Sequence, residues 1–189
     1  PSLARFPASA SIMYKDLPSR ANITRDGSLD QYGVVGHPVS QSWSPFIHGL
    51  FARQTDQALT YRLYDIAPAQ FRGEVLEFFA HGGRGLNVTV PHKEAAADLA
   101  NELSARAERA GAVNTLMLQG DHHLIGDNTD GAGLVRDLER NLRVPVADRR
   151  ILILGAGGAA RGVLGPLLGG GGAELVLANR GADRAINLA

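Results

Sequence analysis

The 189-residue sequence predicts an α/β protein with a mostly parallel sheet flanked by helices. Three observations lead there. Strand-like and helix-like stretches alternate from residue 31 onward. The run ILIL at 151–154 carries no polar alternation, as expected of a strand buried on both faces. A glycine-rich turn, GAGGAARG at 155–162, follows that run directly and opens a helix.

Taken in order, QYGVVG (31–36) reads as the first strand, and a helix follows from Ser44, with Pro45 in the first turn where a missing N–H does no harm. TYRLYDI (60–66) is the second strand. The next helix, in AQFRGEVLEFFAHG, brings Phe71, Val75, Phe78 and Phe79 onto one face. GLNVTV (85–90) is a third strand, and HKEAAADLANELSARAERAG supplies one long or two short helices. AVNTLML and HHLIG form a hairpin around Gly120 and Asp121. NTDGAGLVRDLERN reads as a connecting helix into strand ILIL, the glycine turn, a second helix and strand AELVLANR. Pro166 should kink its helix or fall in the last turn, and the glycines at 169–172 should end it. Residues 1–30 lack either periodicity and read as an extension; Asp16, Asp26 and Asp30 argue against a transit peptide.

Composition narrows the function. Nineteen basic and nineteen acidic side chains cancel, so nothing in the charge calls for nucleic acid or an anionic membrane, and any anion must be held locally. With no cysteine, thiolate catalysis, disulfides and cysteine metal sites are excluded, which suits a reducing, cytoplasmic setting; redox chemistry would need a borrowed cofactor. No apolar run reaches membrane-spanning length. The histidines are scattered or adjacent, in no zinc-ligand spacing, and no nucleophile elbow is present.

In the glycine turn, Gly155, Gly157 and Ala160 fit the dinucleotide-binding pattern. The first permits the sharp turn, the second lets backbone approach a pyrophosphate, and the small third residue lets helix pack on strand. The following strand ends in Asn179 and Arg180, where NAD-binding folds place an acid. Arg180 and Arg184 can pair with a 2′-phosphate, which favours NADP, unless they only solvate a loop. Ser42 and Ser44, in SQSWSPFIH, can aim hydroxyls and helix N–H groups at one carboxylate, although Ser44 taken alone reads as a helix cap. Trp43 between them is a pocket wall or a partly exposed aromatic. Lys93, just past a strand that delivers into a crevice, is by default a surface lysine; Asp130 in another pre-helix turn, with the polar AVNT at 112–115, suggests instead a pair exchanging a proton with one carbonyl.

In this order, VVGHPVSQSWSPFIH, GLNVTVPHK, AGAVNTLM, GDNTDGAG, ILILGAGGAARGV and ANR resemble the shikimate dehydrogenase family over about residues 31–184. The resemblance implies NADP-dependent interconversion of 3-dehydroshikimate and shikimate in aromatic amino-acid biosynthesis. It also implies a substrate domain over 31–130, and over 131–189 a linker helix with the first part of a Rossmann-type domain. Carried over by position, Ser42 and Ser44 bind the substrate carboxylate; Thr89, Asn114 and Asp130 meet its hydroxyls; Lys93 and Asp130 are catalytic. Gly155, Ala156, Gly157, Gly158 and Ala159 hold the cofactor, with Asn179, Arg180 and Arg184 near the adenosine phosphate. The implied partner is the small-molecule substrate, in a monomer or homodimer without nucleic acid or membrane.

Two departures stand out. Gly181 replaces the family's usual threonine. The chain also ends before the family's later strands and the tyrosine and glutamine that complete its pocket, so the resemblance implies little turnover and weak cofactor affinity from 189 residues alone. The rival readings are a quinate/shikimate dehydrogenase using NAD, against which Asn179 and Arg180 speak, and a non-catalytic metabolite-binding relative, against which the retention of Lys93 and Asp130 speaks.

Overall fold

The computed structural model describes residues 29–188. The expected extension therefore lies, apart from its last two residues, outside the described residues. The strands begin with β1 (Asp30–Gly36), whose last four residues are all buried. It is central: β2 (Leu59–Asp65) and β3 (Gly83–Val88) pair with it in parallel on either side. The sheet continues with β5 (Thr115–Gln119) and β6 (His123–Asp127), an antiparallel hairpin, and closes with the two-residue β4 (Glu102–Leu103) parallel to β6. Its order is β2-β1-β3-β5-β6-β4. The expected third strand stops two residues early, so Thr89 and Val90 lie just past its end.

Neighbouring side chains in a strand point to opposite faces, and β1 uses both. Val35 joins the larger core with Phe71, Val75 and Phe79 of α2 (Phe71–Ala80), Ala96 and Leu99 of α3 (Lys93–Leu99), and Ala107 of α4 (Ala105–Ala110). Phe78, expected on the same face of α2, is only partly buried against this core. Each fully buried large apolar side chain contributes about 1.5–3 kcal/mol. Val34 joins a smaller cluster with Val39 and Tyr61. Over it lies α1 (Ser44–Gln54), which has no buried residue and touches the sheet through His48, stacked on Tyr61 at 4.1 Å.

The helical stretch 92–111 resolves into two helices. Ala100 turns extended, and Asn101 bonds to Leu124 twice, its N–H donating to the Leu124 carbonyl at 2.8 Å and its side-chain carbonyl accepting from the Leu124 N–H at 2.8 Å. Ser104 then caps α4 by accepting from the Ala107 N–H, and Gly111, at φ +55°, ends it in the left-handed conformation that glycine adopts freely.

After α5 (Asp130–Arg136) the chain forms a separate parallel pair, β7 (Arg150–Leu154) and β8 (Glu174–Ala178), joined by α6 (Gly158–Gly169). Here one expectation is corrected. The ILIL strand is not buried on both faces: Leu152 is 61% and Leu154 79% exposed, with Val176 of β8 beside them at 45%. A two-stranded sheet with its crossover helix on one side covers only that side. Pro166 falls in the last turn of α6, as anticipated, and its ring meets Gly131 of α5. A short helix, α7 (Ala182–Ile186), follows β8.

Candidate active site

The parallel strands β1 and β3 end on one edge, and the predicted site residues gather along it. Thr89 follows β3 and donates its N–H to the Val35 carbonyl at 2.9 Å. Gly36 makes room for it, since a Cβ there would come 2.5 Å from the Thr89 methyl. Ser42, Ser44 and Thr89 line one crevice of about 280 Å³, with Val34, Pro38, Val39 and Gln41. Within it the Ser42 hydroxyl donates to the Ser44 hydroxyl at 3.0 Å and accepts from the Ser44 N–H at 3.2 Å. Ser44 is the first residue of α1 and not its cap: Trp43 holds the cap position without a side-chain bond and is 59% exposed. Exchanging the Ser42–Ser44 bond for bonds to an incoming acceptor such as a carboxylate would bring both hydroxyls onto it at the start of an 11-residue helix.

Lys93 opens α3, where its side chain is only 11% exposed, and its ammonium donates to the Asp130 carboxylate at 2.5 Å. The helix start is held firmly. His92 is buried, stacks on Phe71 at 4.5 Å and bonds through Nε2 to the Ile66 carbonyl at 2.7 Å. Burial lowers the pKa of His92, only partly offset by that bond, so the neutral ring donates to the carbonyl. The Val113 N–H donates to the Lys93 carbonyl at 2.8 Å, tying α3 to the loop that carries Asn114.

Asp130 is oriented from its other side. Asn114 donates from Nδ2 to the second Asp130 oxygen at 2.8 Å and to the Thr129 hydroxyl at 2.9 Å, while its carbonyl accepts from the Thr115 hydroxyl at 2.9 Å and the Thr129 N–H at 3.0 Å. The network continues to residues that the sequence reading did not single out. Asn87 donates to Thr115 at 3.3 Å, and the Tyr61 hydroxyl donates to Asn87 at 2.6 Å. Burial pushes the Tyr61 pKa well up, with a hydrogen bond to Ser44 opposing it, so the phenol stays protonated and links the serine crevice to the Lys93 and Asp130 cluster. Polar residues at alternate strand positions next to a predicted site, such as Asn87 two before Thr89, are the signal that would have found them.

The turn before Asp130 is anchored by Asp127. Its carboxylate accepts from Arg106 Nε at 2.7 Å and from a second Arg106 nitrogen, from the Ser104 hydroxyl at 2.6 Å and from the Asn128 N–H at 2.8 Å. The Arg106 bond is the largest influence, and against the opposing effect of burial these partners hold the Asp127 pKa at about 2, below its ordinary 3.8. A carboxyl depressed in the folded state adds stability above its unfolded pKa and loses it as pH falls through the folded value. Asp127→Asn should therefore melt at a lower temperature than the parent at pH 7, with the gap closing between pH 4 and about 2; thermal melts across that range check it.

The predicted cofactor residues lie at the end of β7. Gly155 has φ +114°, accessible in practice to glycine, and its N–H donates to the Ala178 carbonyl at 2.8 Å. Space is open beside both Gly155 and Gly157, where an added Cβ would meet nothing within 4 Å, and the N-terminus of α6 has no side-chain cap. Ala156 and Ala160 are buried, which leaves that approach to backbone. These features fit a pyrophosphate. Leu154 pairs with Ala178, so Asn179 and the exposed Arg180 emerge beside the turn; Asn179 donates to the Gly181 carbonyl at 2.8 Å, and Arg184 lies exposed on α7. No acid stands at that strand end to repel a 2′-phosphate. Gly158 lies directly on the Lys93 stem, with an added Cβ only 3.1 Å from the Lys93 Cβ, so the glycine turn and the Lys93–Asp130 pair are neighbours. Among the described residues no group of His, Asp and Glu could hold a metal ion, and no helix is long and apolar enough to cross a membrane.

Known proteins are similar to this chain in sequence and in fold. Residues 34–116 match the family model described as the shikimate dehydrogenase substrate binding domain. The curated NADP(+) shikimate dehydrogenase of Aeromonas salmonicida is 58% identical over 161 residues, which are 85% of this chain and 59% of that one. Among solved structures, shikimate dehydrogenase from Aquifex aeolicus is 34% identical with a TM-score of 0.79, covering 85% of this chain and 59% of its own. The enzyme from Thermus thermophilus, in complex with NADP(H) and shikimate, is also 34% identical with a TM-score of 0.77 and the same coverages. The chain thus spans about three fifths of the length of the curated relatives it matches. In sequence and in fold, over the length it covers, it is similar to the shikimate dehydrogenases.

Proposed function

We propose that this chain carries the substrate-binding part and the start of the cofactor-binding part of a cytoplasmic, NADP-dependent enzyme that interconverts 3-dehydroshikimate and shikimate. Residues 31–130 form the substrate domain, and 131–189 the linker helix and first portion of the dinucleotide-binding domain. Ser42 and Ser44 receive the substrate carboxylate; Thr89, Asn114 and Asp130 meet ring hydroxyls. Gly155, Ala156, Gly157, Gly158 and Ala159 cradle the pyrophosphate, with Asn179, Arg180 and Arg184 toward the adenosine phosphate. When bound, NADP supplies or accepts the hydride at the ring carbon. Lys93, held by Asp130, gives a proton to the carbonyl oxygen during reduction and takes one from the hydroxyl during oxidation. Hydroxyl contacts give selectivity, because an analogue lacking one leaves buried polar groups unpaired.

The observation that carries this reading is the 2.5 Å contact between Lys93 and Asp130 at the strand edge, beside the open glycine turn. Calorimetric titration with shikimate of a chain of the relatives' full length should give saturable binding, weakened at least about tenfold in a Ser42→Ala, Ser44→Ala double variant, the loss expected from removing two bonds to a charged group. An isotherm without heat at millimolar shikimate would defeat the substrate assignment. For the cofactor, Arg180→Ala should reduce the preference for NADP over NAD by about tenfold, one charge-assisted bond.

A further inference from the structure

Asn128 has no part in the functional assignment, yet it is one of only three buried polar or charged residues among the described residues, at 2% exposure. Its side chain is fully committed on two sides. Nδ2 donates to the Ala112 carbonyl at 2.9 Å, and Oδ1 accepts from the Asp130 N–H at 3.2 Å. Ala112 opens the segment that carries Asn114, whose amide grips one oxygen of Asp130. One amide thus fixes both the backbone of the carboxylate and the loop that carries its partner Asn114.

The third side of Asn128 is a helix from the other unit. A Cβ on Gly162 of α6 would lie 2.7 Å from the Asn128 Oδ1 and 2.9 Å from its Nδ2, so the bare glycine backbone rests on the amide itself. The same segment of α6 holds the residue after Asp130: a Cβ on Gly131 would come 2.5 Å from the Gly162 carbonyl and 2.5 Å from the Pro166 ring. Pro166, having no N–H, cannot donate to that carbonyl four residues earlier, which leaves the approach to Gly131. Asp130 is therefore bracketed at 128 and 131 by contacts to α6, the helix whose first turn forms the glycine loop and lies on the stem of Lys93.

We propose that Asn128 is a positioning residue that holds Asp130 against Lys93 and, braced by Gly162, transmits the placement of α6 to that pair. A shift of α6 moves the Asn128 amide, which moves the Asp130 backbone and the Ala112–Asn114 segment together. Calling the pair catalytic rests on the function proposed above; the geometric coupling does not, and the test separates them.

The sequence contains two lysines, Lys15 and Lys93, so lysine-selective isotope labelling gives two side-chain signals, assigned by Lys15→Arg. In the 189-residue chain at neutral pH, the Lys93 13Cε and 15Nζ shifts report its contact with Asp130, and Asp130→Asn sets the position of the broken pair. In Asn128→Ala the Lys93 signals should move at least halfway to the Asp130→Asn position. Gly162→Ala, which leaves Asn128 in place but crowds its amide, should move them in the same direction by a smaller amount. A purely structural role for Asn128 would lower the melting temperature and leave the Lys93 signals where they are, which overturns the proposal. Should Asn128→Ala fail to fold, unmoved Lys93 signals in folded Gly162→Ala overturn it equally. Loss of the catalytic assignment, shown by unimpaired turnover in Lys93→Ala, would leave these shifts and the coupling they measure intact.

Discussion

Replacing Lys93 with alanine is expected to lower kcat for shikimate oxidation by about 10³-fold, within the range that a single positioned proton-transfer group supplies. The assay belongs in a chain of the relatives' full length. KM for shikimate should change far less, because the carboxylate recognition proposed for Ser42 and Ser44 lies in a crevice that Lys93 does not line. A fall in kcat and kcat/KM together, with KM nearly constant, marks an interaction made chiefly in the transition state. Lys93→Arg should not restore the rate: the guanidinium stays charged near neutral pH and cannot exchange the proton. Wild-type kcat in Lys93→Ala would remove the lysine from the chemistry, and a large rise in KM at constant kcat would make it a binding residue.

The second large effect concerns a helix contact. Gly131→Ala is expected to destabilise the folded chain by about 1–3 kcal/mol, the usual range for overpacking, because its Cβ would press on the Gly162 backbone oxygen and the Pro166 ring, neither of which can swing aside. The control lies two residues on. Gly133 is in the same helix, and an added Cβ there meets nothing within 4 Å. Gly133→Ala should gain up to about 1 kcal/mol from helix propensity alone. Thermal and urea denaturation of the two variants side by side separates the contact from the propensity. Equal melting temperatures would mean that α5 and α6 are not held at this distance in solution.

The parts of the molecule that local chemistry dictates were legible. The first strand, the proline in the first turn of α1, the hairpin turn at Gly120 and the strand, glycine turn and helix around Gly155 all stand where the sequence places them. What could not be read depends on distant partners. The break between α3 and α4 arises where Asn101 pairs with Leu124 of β6, across a stretch whose own residues mostly favour helix. Tyr61 and Asn87 acquire their place from register, since only the pairing of β1 with both β2 and β3 brings them within 2.6 Å. The exposure of Leu152 and Leu154 was misread because an unbroken apolar run reports the burial a strand is suited for, not the layers present on either side. Asn128 stands in a polar pre-helix stretch whose sequence does not show its burial, its bonds to Ala112 and Asp130 or its contact with α6.

The seating of Gly158 on the methylenes of Lys93 also bears on how readily that amine reacts. With that side chain only 11% exposed and its ammonium bonded to Asp130, an acylating reagent should modify Lys93 more slowly than a surface lysine. The rate at which Lys93 is modified, followed by peptide mass, therefore reports local opening around the amine and should rise in Asp130→Asn.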